Sequence, residues 1–270
     1  TVQFIANVNE NGNFEYSVYY KNKPVVVNSG LAMELSKPEL LLNEFILTSV
    51  DSSKVDQSWE PVWGEQNSIR NKYKQFIFHL TDKATSTYFI NIIFRLFEDG
   101  VGFRYEFPKQ KKLQYFILKN ELTQFKMTGD HKAFWIPGDF DTNEYAYNTT
   151  KLSEIDAIEA SAKEKDIAVV SLICNGAVQT PLMMKSKEGL YINIHEAALL
   201  DYPAMNLDLN RESLTFTSEL VPDAVGNKAY LETGFSTPWR VIQVASQAKD
   251  LLASRFILNL NEPSKLTNTD

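Results

Sequence analysis

Asn91-Ile92-Ile93-Phe94-Arg95-Leu96-Phe97-Glu98-Asp99-Gly100-Val101-Gly102-Phe103-Arg104-Tyr105-Glu106-Phe107 alternates on both sides of a turn. Ile92, Phe94 and Leu96 fall on one face before Glu98-Asp99-Gly100, and Phe103, Tyr105 and Phe107 share a face after it. Successive side chains of a strand point to opposite faces, so each half reads as a strand with one buried side, and the turn closes a hairpin. Arg104 and Glu106 fall on the other face, toward water or a polar neighbour.

The same period extends outward. Tyr16, Val18 and Tyr20 alternate with Ser17 and Tyr19, and Lys21-Asn22-Lys23 turns the chain into Pro24-Val25-Val26-Val27. Phe76, Phe78 and Leu80 repeat the pattern, and strands are expected at 167–173, 190–194, Leu207/Leu209, Leu214/Phe216 and Phe256/Leu258/Leu260. Helix signals are few. Ser153 could cap a short surface helix running to Lys165, with Glu159 four residues before Lys163, and a further turn is expected within 245–253. No fixed-period repeat and no Pro/Gly/Ser-rich linker divides the chain. The expected fold is all-β: residues 1–270 as one large sandwich of antiparallel sheets.

Composition agrees and narrows function. Aromatics make up 12% of the 270 residues, which favours strands. The net charge of −7 repels nucleic acid and anionic membranes, and Lys109-Gln110-Lys111-Lys112 is too short a basic run to reverse that. No apolar run approaches the roughly 20 residues of a membrane helix, so no membrane insertion is expected. Thr1 opens the chain without an initiator Met or a signal-peptide pattern, as in a processed or trimmed chain. Cys174 is the lone cysteine and is expected to be a buried, inert thiol.

Several motifs fail on inspection. Asp139-Phe140-Asp141-Thr142-Asn143 starts like a calcium loop, but Glu144 and Thr150 occupy the positions where Gly and Glu are needed. Gly100-Val101-Gly102 lacks the third glycine of a dinucleotide fingerprint, and His79, His131 and His195 have no metal-ligand spacing. There is no Gly-x-Ser-x-Gly elbow. Trp59-Glu60-Pro61-Val62-Trp63-Gly64-Glu65-Gln66 with Ile69-Arg70-Asn71 combines aromatic faces with the amides and charges that bind sugar hydroxyls; a Trp pair is also a common edge-covering device. His131 to Asp139 has the same ambiguity.

Tyr191-Ile192-Asn193-Ile194-His195-Glu196-Ala197-Ala198-Leu199 carries the sharpest chemical signal. In a strand, Glu196 shares its face with Ile192 and Ile194, while His195 points the other way with Asn193. A carboxylate in line with core residues must be paired, hydrogen-bonded or metal-bound. At this level it is either a structural Glu satisfied by an Arg or backbone amides, or a ligand.

These blocks together resemble a known family. Trp63-Gly64-Glu65-Gln66 with Ile69-Arg70-Asn71, Phe94 to Pro108, Phe134-Trp135-Ile136-Pro137-Gly138-Asp139, Tyr191 to Leu199 and Thr237-Pro238-Trp239-Arg240 look like the amino-terminal domain of glycoside hydrolase family 97, over about Val2 to Pro263. The likeness is to the inverting α-glucosidases of bacterial starch utilisation rather than to the retaining α-galactosidases. It implies a β-super-sandwich like that of galactose mutarotase, followed in the same polypeptide by a (β/α)₈ barrel bearing the catalytic carboxylates. The chain stops at Asp270, about where that barrel would begin, so these residues alone are not expected to hydrolyse a glycosidic bond.

The resemblance also assigns one functional group to this domain. A Glu of the His-Glu-Ala-Ala-Leu block ligates an active-site calcium, and Glu196 matches it; calcium takes six to eight oxygens, so the other ligands would come from the barrel. His195 is then a supporting residue, and Trp63, Glu65 and Arg70 are candidates for the substrate entrance or barrel interface. The implied partners are that barrel and α-glucan oligosaccharides, in the periplasm. Two other functions fit the residues: a free-standing sugar-binding module built on Trp59 and Trp63, and a mutarotase-like epimerase pairing His79 or His131 with a carboxylate in a cleft.

Overall fold

A computed structural model describes residues 1–263 as strands packed in two layers. The larger layer is one antiparallel sheet in the spatial order Asn148–Lys151, Lys132–Trp135, Leu182–Lys185, Tyr191–Ala197, Trp239–Ala245, Gly100–Phe107, Phe89–Leu96, Ile69–Asp82 and Phe45–Trp59. Phe235–Ser236 adds a short pairing beside Gly100–Phe107. Three smaller antiparallel sheets form the facing layer. One joins Val2–Val8, Phe14–Tyr20 and Lys23–Leu31; a second holds Tyr115–Glu121 between Ala229–Glu232 and Met33–Lys37; a third includes Thr215–Leu220 and Met205–Asn210. The all-β sandwich expected from the alternation is the fold.

The hairpin that opened the reading is the centre of this arrangement. Phe89–Leu96 pairs with Gly100–Phe107, with Phe94 opposite Phe103. Phe94 and Phe103 lie 5.2 Å apart between ring centroids, and Tyr16 of the facing layer sits 5.1 Å from Phe103. Aromatic contacts of this kind add about 0.5–1.5 kcal/mol each beyond area burial, which is how alternating Phe and Tyr fix one face inward. Lys21 and Asn22 both take positive φ, the backbone that a two-residue hairpin turn requires.

A second, smaller apolar cluster covers part of the large sheet's outer face, where Phe256 and Leu260 close over Ile93, Phe97, Trp239 and Val241. Two glycines make room for it. A Cβ on Gly100 would lie 2.6 Å from the Ile242 carbonyl oxygen and 2.7 Å from the Phe256 ring, and one on Gly102 would lie 2.8 Å from Leu260 Cδ1.

Several expected elements differ. Residues 167–173 hold only an isolated bridge, Asp139 with Leu172, and Val169 and Val170 are exposed, so that apolar run finds no sheet face to bury against. Phe256–Leu260 is a 3₁₀ helix, not a strand: Phe256, Asn259 and Leu260 are buried while Leu258 is exposed, a spacing of three and four instead of two. The helix expected from Ser153 begins later, at Ala157–Ser161, capped by Asp156, whose carboxylate accepts from Glu159 N. Ser153 instead donates to Asp130, although the Glu159–Lys163 pair forms at 2.9 Å. The later helix is Ala248–Ala253, because Ala245 ends a strand. Cys174 is half-buried, not buried, and its thiol donates to Asp208. No helix among the described residues is long and apolar enough to cross a membrane.

Candidate functional site

Strand Tyr191–Ala197 runs beside Trp239–Ala245 with Ile192 opposite Val244, Ile194 opposite Ile242 and Glu196 opposite Arg240. The parity read from the sequence is therefore the parity in the fold. Ile192 and Ile194 enter the main core, and the next inward position, Glu196, meets a guanidinium where the strand reaches the rim. Arg240 Nη1 donates to Glu196 Oε2 at 2.6 Å, and Met205 N donates to Glu196 Oε1 at 3.1 Å.

A third charged residue comes from the facing layer. Arg240 donates through Nε to Glu121 Oε1 at 2.7 Å and through Nη2 to Glu121 Oε2 at 2.6 Å, a two-pronged pair. Thr123 Oγ1 and Tyr202 OH donate to the same carboxylate at 2.8 and 2.9 Å. The Arg240 and Glu121 side chains are fully buried, whereas the Glu196 side chain keeps 12% of its surface. Two carboxylates share one guanidinium, which leaves one negative charge in excess, and Glu196 is the corner that reaches solvent.

The electrostatics divide accordingly. Burial works to raise Glu121, but the Arg240 charge and its hydrogen bonds prevail and hold Glu121 below the ordinary carboxylate value. For Glu196 burial prevails: it is raised despite Arg240 and the Met205 amide, and Glu121 adds to the rise. The two carboxylates shift in opposite directions on one arginine because Glu121 takes the two-pronged contact and Glu196 receives a single one. Burial would lower Arg240, yet Glu121 foremost keeps it raised and charged.

The backbone beyond Glu196 turns away at once. Ala198 takes φ 53°, and Leu199 and Leu200 are exposed just past it. Asn261 Oδ1 accepts from Ala198 N at 3.0 Å, so the carboxy-terminal end of the described chain is fastened two residues from Glu196. His195 lies on the opposite face, buried, with Nδ1 3.3 Å from the Glu196 carbonyl, and burial lowers its pKa so that it is neutral near pH 7.

Trp63, Glu65 and Arg70 lie on a projecting arm formed by Phe45–Trp59 and Ile69–Asp82 and the loop between them. Trp63 is 71% exposed. Arg70 makes two 2.8 Å bonds to Asp56, and Glu65 meets Arg255 at 3.2 Å. Trp59 Nε1 donates to Asn259 at 2.7 Å, and Asn259 Nδ2 donates back to the Arg70 carbonyl. A groove of about 200 Å³ lined by Arg70, Lys72, Phe97, Arg255, Phe256 and Asn259 runs along this junction. The arm thus joins the carboxy-terminal segment that also fastens Ala198; no contact brings Trp63, Glu65 or Arg70 onto Glu196 itself.

Other sequence candidates have structural partners. Trp135 is buried and donates to Thr150, and the Asp139 carboxylate accepts from Asp141 N, Thr142 N, Tyr145 OH and Ser171 N. His131 Nε2 lies 3.2 Å from Thr128 Oγ1. His79 does meet a carboxylate, Asp51 at 3.0 Å, but Asp51 is 72% exposed, so this is a surface pair and not a cleft.

Glu121 and Tyr202 were missed by the sequence reading, and Arg240 was quoted only within a motif. Arg240 carried a signal, since it shares strand parity with Ile242 and Val244 just as Glu196 does with Ile192 and Ile194. Glu121 carried none: register shifts around Leu118 in Tyr115–Glu121 reverse the alternation, so counting inward from Phe116 and Leu118 selects Asn120 instead. Among the described residues no group of three or more His, Cys, Asp or Glu side chains could hold a metal ion.

Comparison with known proteins gives a consistent answer. The family model described as Glycosyl-hydrolase 97 N-terminal matches residues 1–263. A glycoside hydrolase family 97 enzyme from Pseudoalteromonas sp. strain K8, solved in complex with acarbose, is 33% identical, with a TM-score of 0.85 over 99% of this chain and 38% of that one. A variant of that enzyme in complex with panose matches with the same values of 33%, 0.85, 99% and 38%. A beta-arabinopyranosidase crystal structure, 18% identical with a TM-score of 0.73 over 91% of this chain and 38% of its own, shares the fold. The chain spans 38% of the length of these solved proteins.

Proposed function

Because the chain belongs to glycoside hydrolase family 97, as the amino-terminal domain of such a hydrolase, we propose that it completes the active site of an adjoining catalytic (β/α)₈ barrel by lending Glu196 as one ligand of a calcium ion. The carrying observation is the excess negative charge of the Glu121–Arg240–Glu196 cluster, open to solvent only at Glu196. Each Glu196 oxygen accepts one hydrogen bond and keeps lone-pair capacity, which suits a hard, oxygen-seeking cation. One carboxylate cannot supply six to eight oxygens, so the remaining ligands would come from the barrel. When bound, calcium would act as a Lewis acid polarising an oxygen of the substrate or of the catalytic acid.

This chain's own residues prepare that donor. Arg240 orients Glu196 through Nη1 and is itself held by Glu121, and the Met205 amide fixes the second oxygen. Asn261 fastens the adjacent turn by accepting from the Ala198 amide, beside the exposed Leu199 and Leu200. Hydrolysis needs two carboxyl groups about 5–9.5 Å apart, according to stereochemistry, and these are assigned to the barrel, so this chain alone is inactive. The substrate class is malto-oligosaccharide and the activity that of an α-glucosidase, a reading supported by the acarbose and panose complexes of the Pseudoalteromonas relative, and the compartment is the periplasm.

The test uses a longer polypeptide carrying the following residues, assayed on a chromogenic α-glucoside with calcium withdrawn and restored. Activity should appear only there, and Glu196→Gln should weaken its calcium dependence; an unchanged calcium response rejects the ligand assignment. The exposed Trp63 favours a second reading, direct sugar binding by this chain, which calorimetry with maltotetraose decides.

A further inference from the structure

On the outer face of the large sheet, Arg95 and Arg104 both stand over the indole of Trp239, their Cζ atoms 4.6 and 4.4 Å from its centroid. Arg95 also lies 4.7 Å from the centroid of Tyr73. Aromatic faces hold guanidinium groups in position, but they leave the N–H donors to be satisfied in the ring plane or beyond it. Arg95 Nε donates to Gln75 Oε1 at 2.9 Å. Neither guanidinium joins an ion pair among the described residues. Arg104 Nε and Trp239 Nε1 are buried with no hydrogen-bond partner among the described residues, and Trp239 has no exposed surface.

The cluster is therefore rich in donors and poor in acceptors. Two like charges have been brought together under partial burial, which lowers both arginines' pKa, and for Arg104 the proximity of Arg95 adds to the fall. Glu262 is the carboxylate whose charge reaches both, and Glu106 reaches Arg104, without an ion pair from either. Glu106 already accepts from Asn91 at 2.8 Å. An unsatisfied buried donor carries a desolvation cost, and an unpaired charge a larger one, so the face is completed by something that supplies oxygen acceptors and negative charge. Cations are repelled, and sugar hydroxyls bring no charge. Polyanions are disfavoured by the chain's net charge of −7. A planar carboxylate matches guanidinium forks and an indole N–H.

We infer that Arg95, Arg104 and Trp239 form a carboxylate-binding site, separate from the Glu196 cluster and independent of whether that cluster holds calcium. Its occupant is a small free acid or a side-chain carboxylate of adjoining polypeptide, and both present the same two oxygens.

The test is a titration of this ¹⁵N-labelled chain with succinate, against sodium chloride at matched ionic strength and against neutral succinamide. The expected result is saturable movement of the Trp239 Nε1–H and Arg104 Nε–H resonances, with Trp63 unmoved. Arg95→Gln and Arg104→Gln should each weaken binding by about ten-fold, the loss of one charge-assisted contact. Arg104→Lys, which keeps the charge but not the fork, should fall between, and the rest of the spectrum reports that each variant is folded. Absence of a saturable shift, or an equal shift with chloride, overturns the site. In the longer polypeptide, loss of the succinate response identifies a protein carboxylate as occupant and a retained response a free acid; either upholds the site.

Discussion

Replacing Arg240 by Met removes the one cation that two carboxylates share, while filling a similar volume. Arg240 gives three charge-assisted bonds at 2.6–2.7 Å, two to Glu121 and one to Glu196. Breaking a buried ion pair from one side costs about 3–5 kcal/mol, because the remaining charge is left without compensation. We expect about 4 kcal/mol at pH 7.5. The orphaned carboxylates can escape by protonation, which costs about 1.4 kcal/mol per pH unit above the ordinary value for each, so the penalty should fall to about 3 kcal/mol near pH 5.5. The sign is opposite for the parent protein. There Glu121 is depressed, so its contribution is present above the unfolded-state value and is lost as pH falls through the folded value. In Arg240→Met both carboxyl groups are raised, and stability is lost as pH climbs from the unfolded toward the folded value. Urea unfolding followed by near-ultraviolet circular dichroism at both pH values measures the difference. A penalty below about 1 kcal/mol at pH 7.5, or one that does not change with pH, would refute the shared-cation account.

Other expectations follow from single contacts. Asp82 accepts from Thr85 N and Oγ1, Thr87 N and Tyr88 N; burial would raise its pKa, but these donors lower it. Asp82→Ala should therefore cost about 2 kcal/mol at pH 7 by urea titration, and the difference should shrink as pH falls through the depressed folded value. Burial and Asp208 push the Cys174 thiol up to about 11, so alkylation by iodoacetamide at pH 8 should run about two orders of magnitude slower in the folded chain than in urea. Gly100→Ala should lower stability by about 1–3 kcal/mol because the Ile242 carbonyl cannot move aside, whereas Gly102→Ala should cost less, since flexible Leu260 can yield. Equal melting temperatures for the two alanine variants would contradict that distinction.

The fold was legible wherever alternation ran unbroken, as in Phe94, Phe103 and Tyr105, because period-two burial is a local property. It failed at 167–173 and Phe256–Leu260, where apolar residues are recruited by loops or by a helical turn against the back of the sheet. The site was half legible. Glu196 stood out because a strand face exposed its anomaly, and Arg240 could have been found by the same count. Glu121 and Tyr202 arrive from distant stretches, one through an irregular strand, and no one-dimensional pattern links residues that meet only across two layers. The Arg95–Trp239–Arg104 stack was hidden for the same reason: Arg104 was expected to face water or a polar neighbour, and it meets an indole face.

The order in which Arg240 divides its hydrogen bonds gives the rim a dial set one residue back from the surface. With Glu121 neutralised to Gln, the guanidinium would turn its full charge on Glu196, and the surplus negative charge offered to any visiting ion would vanish without a single exposed atom changing. Protein engineers who wish to strengthen or silence ion capture at this edge therefore have a handle that no incoming molecule ever touches.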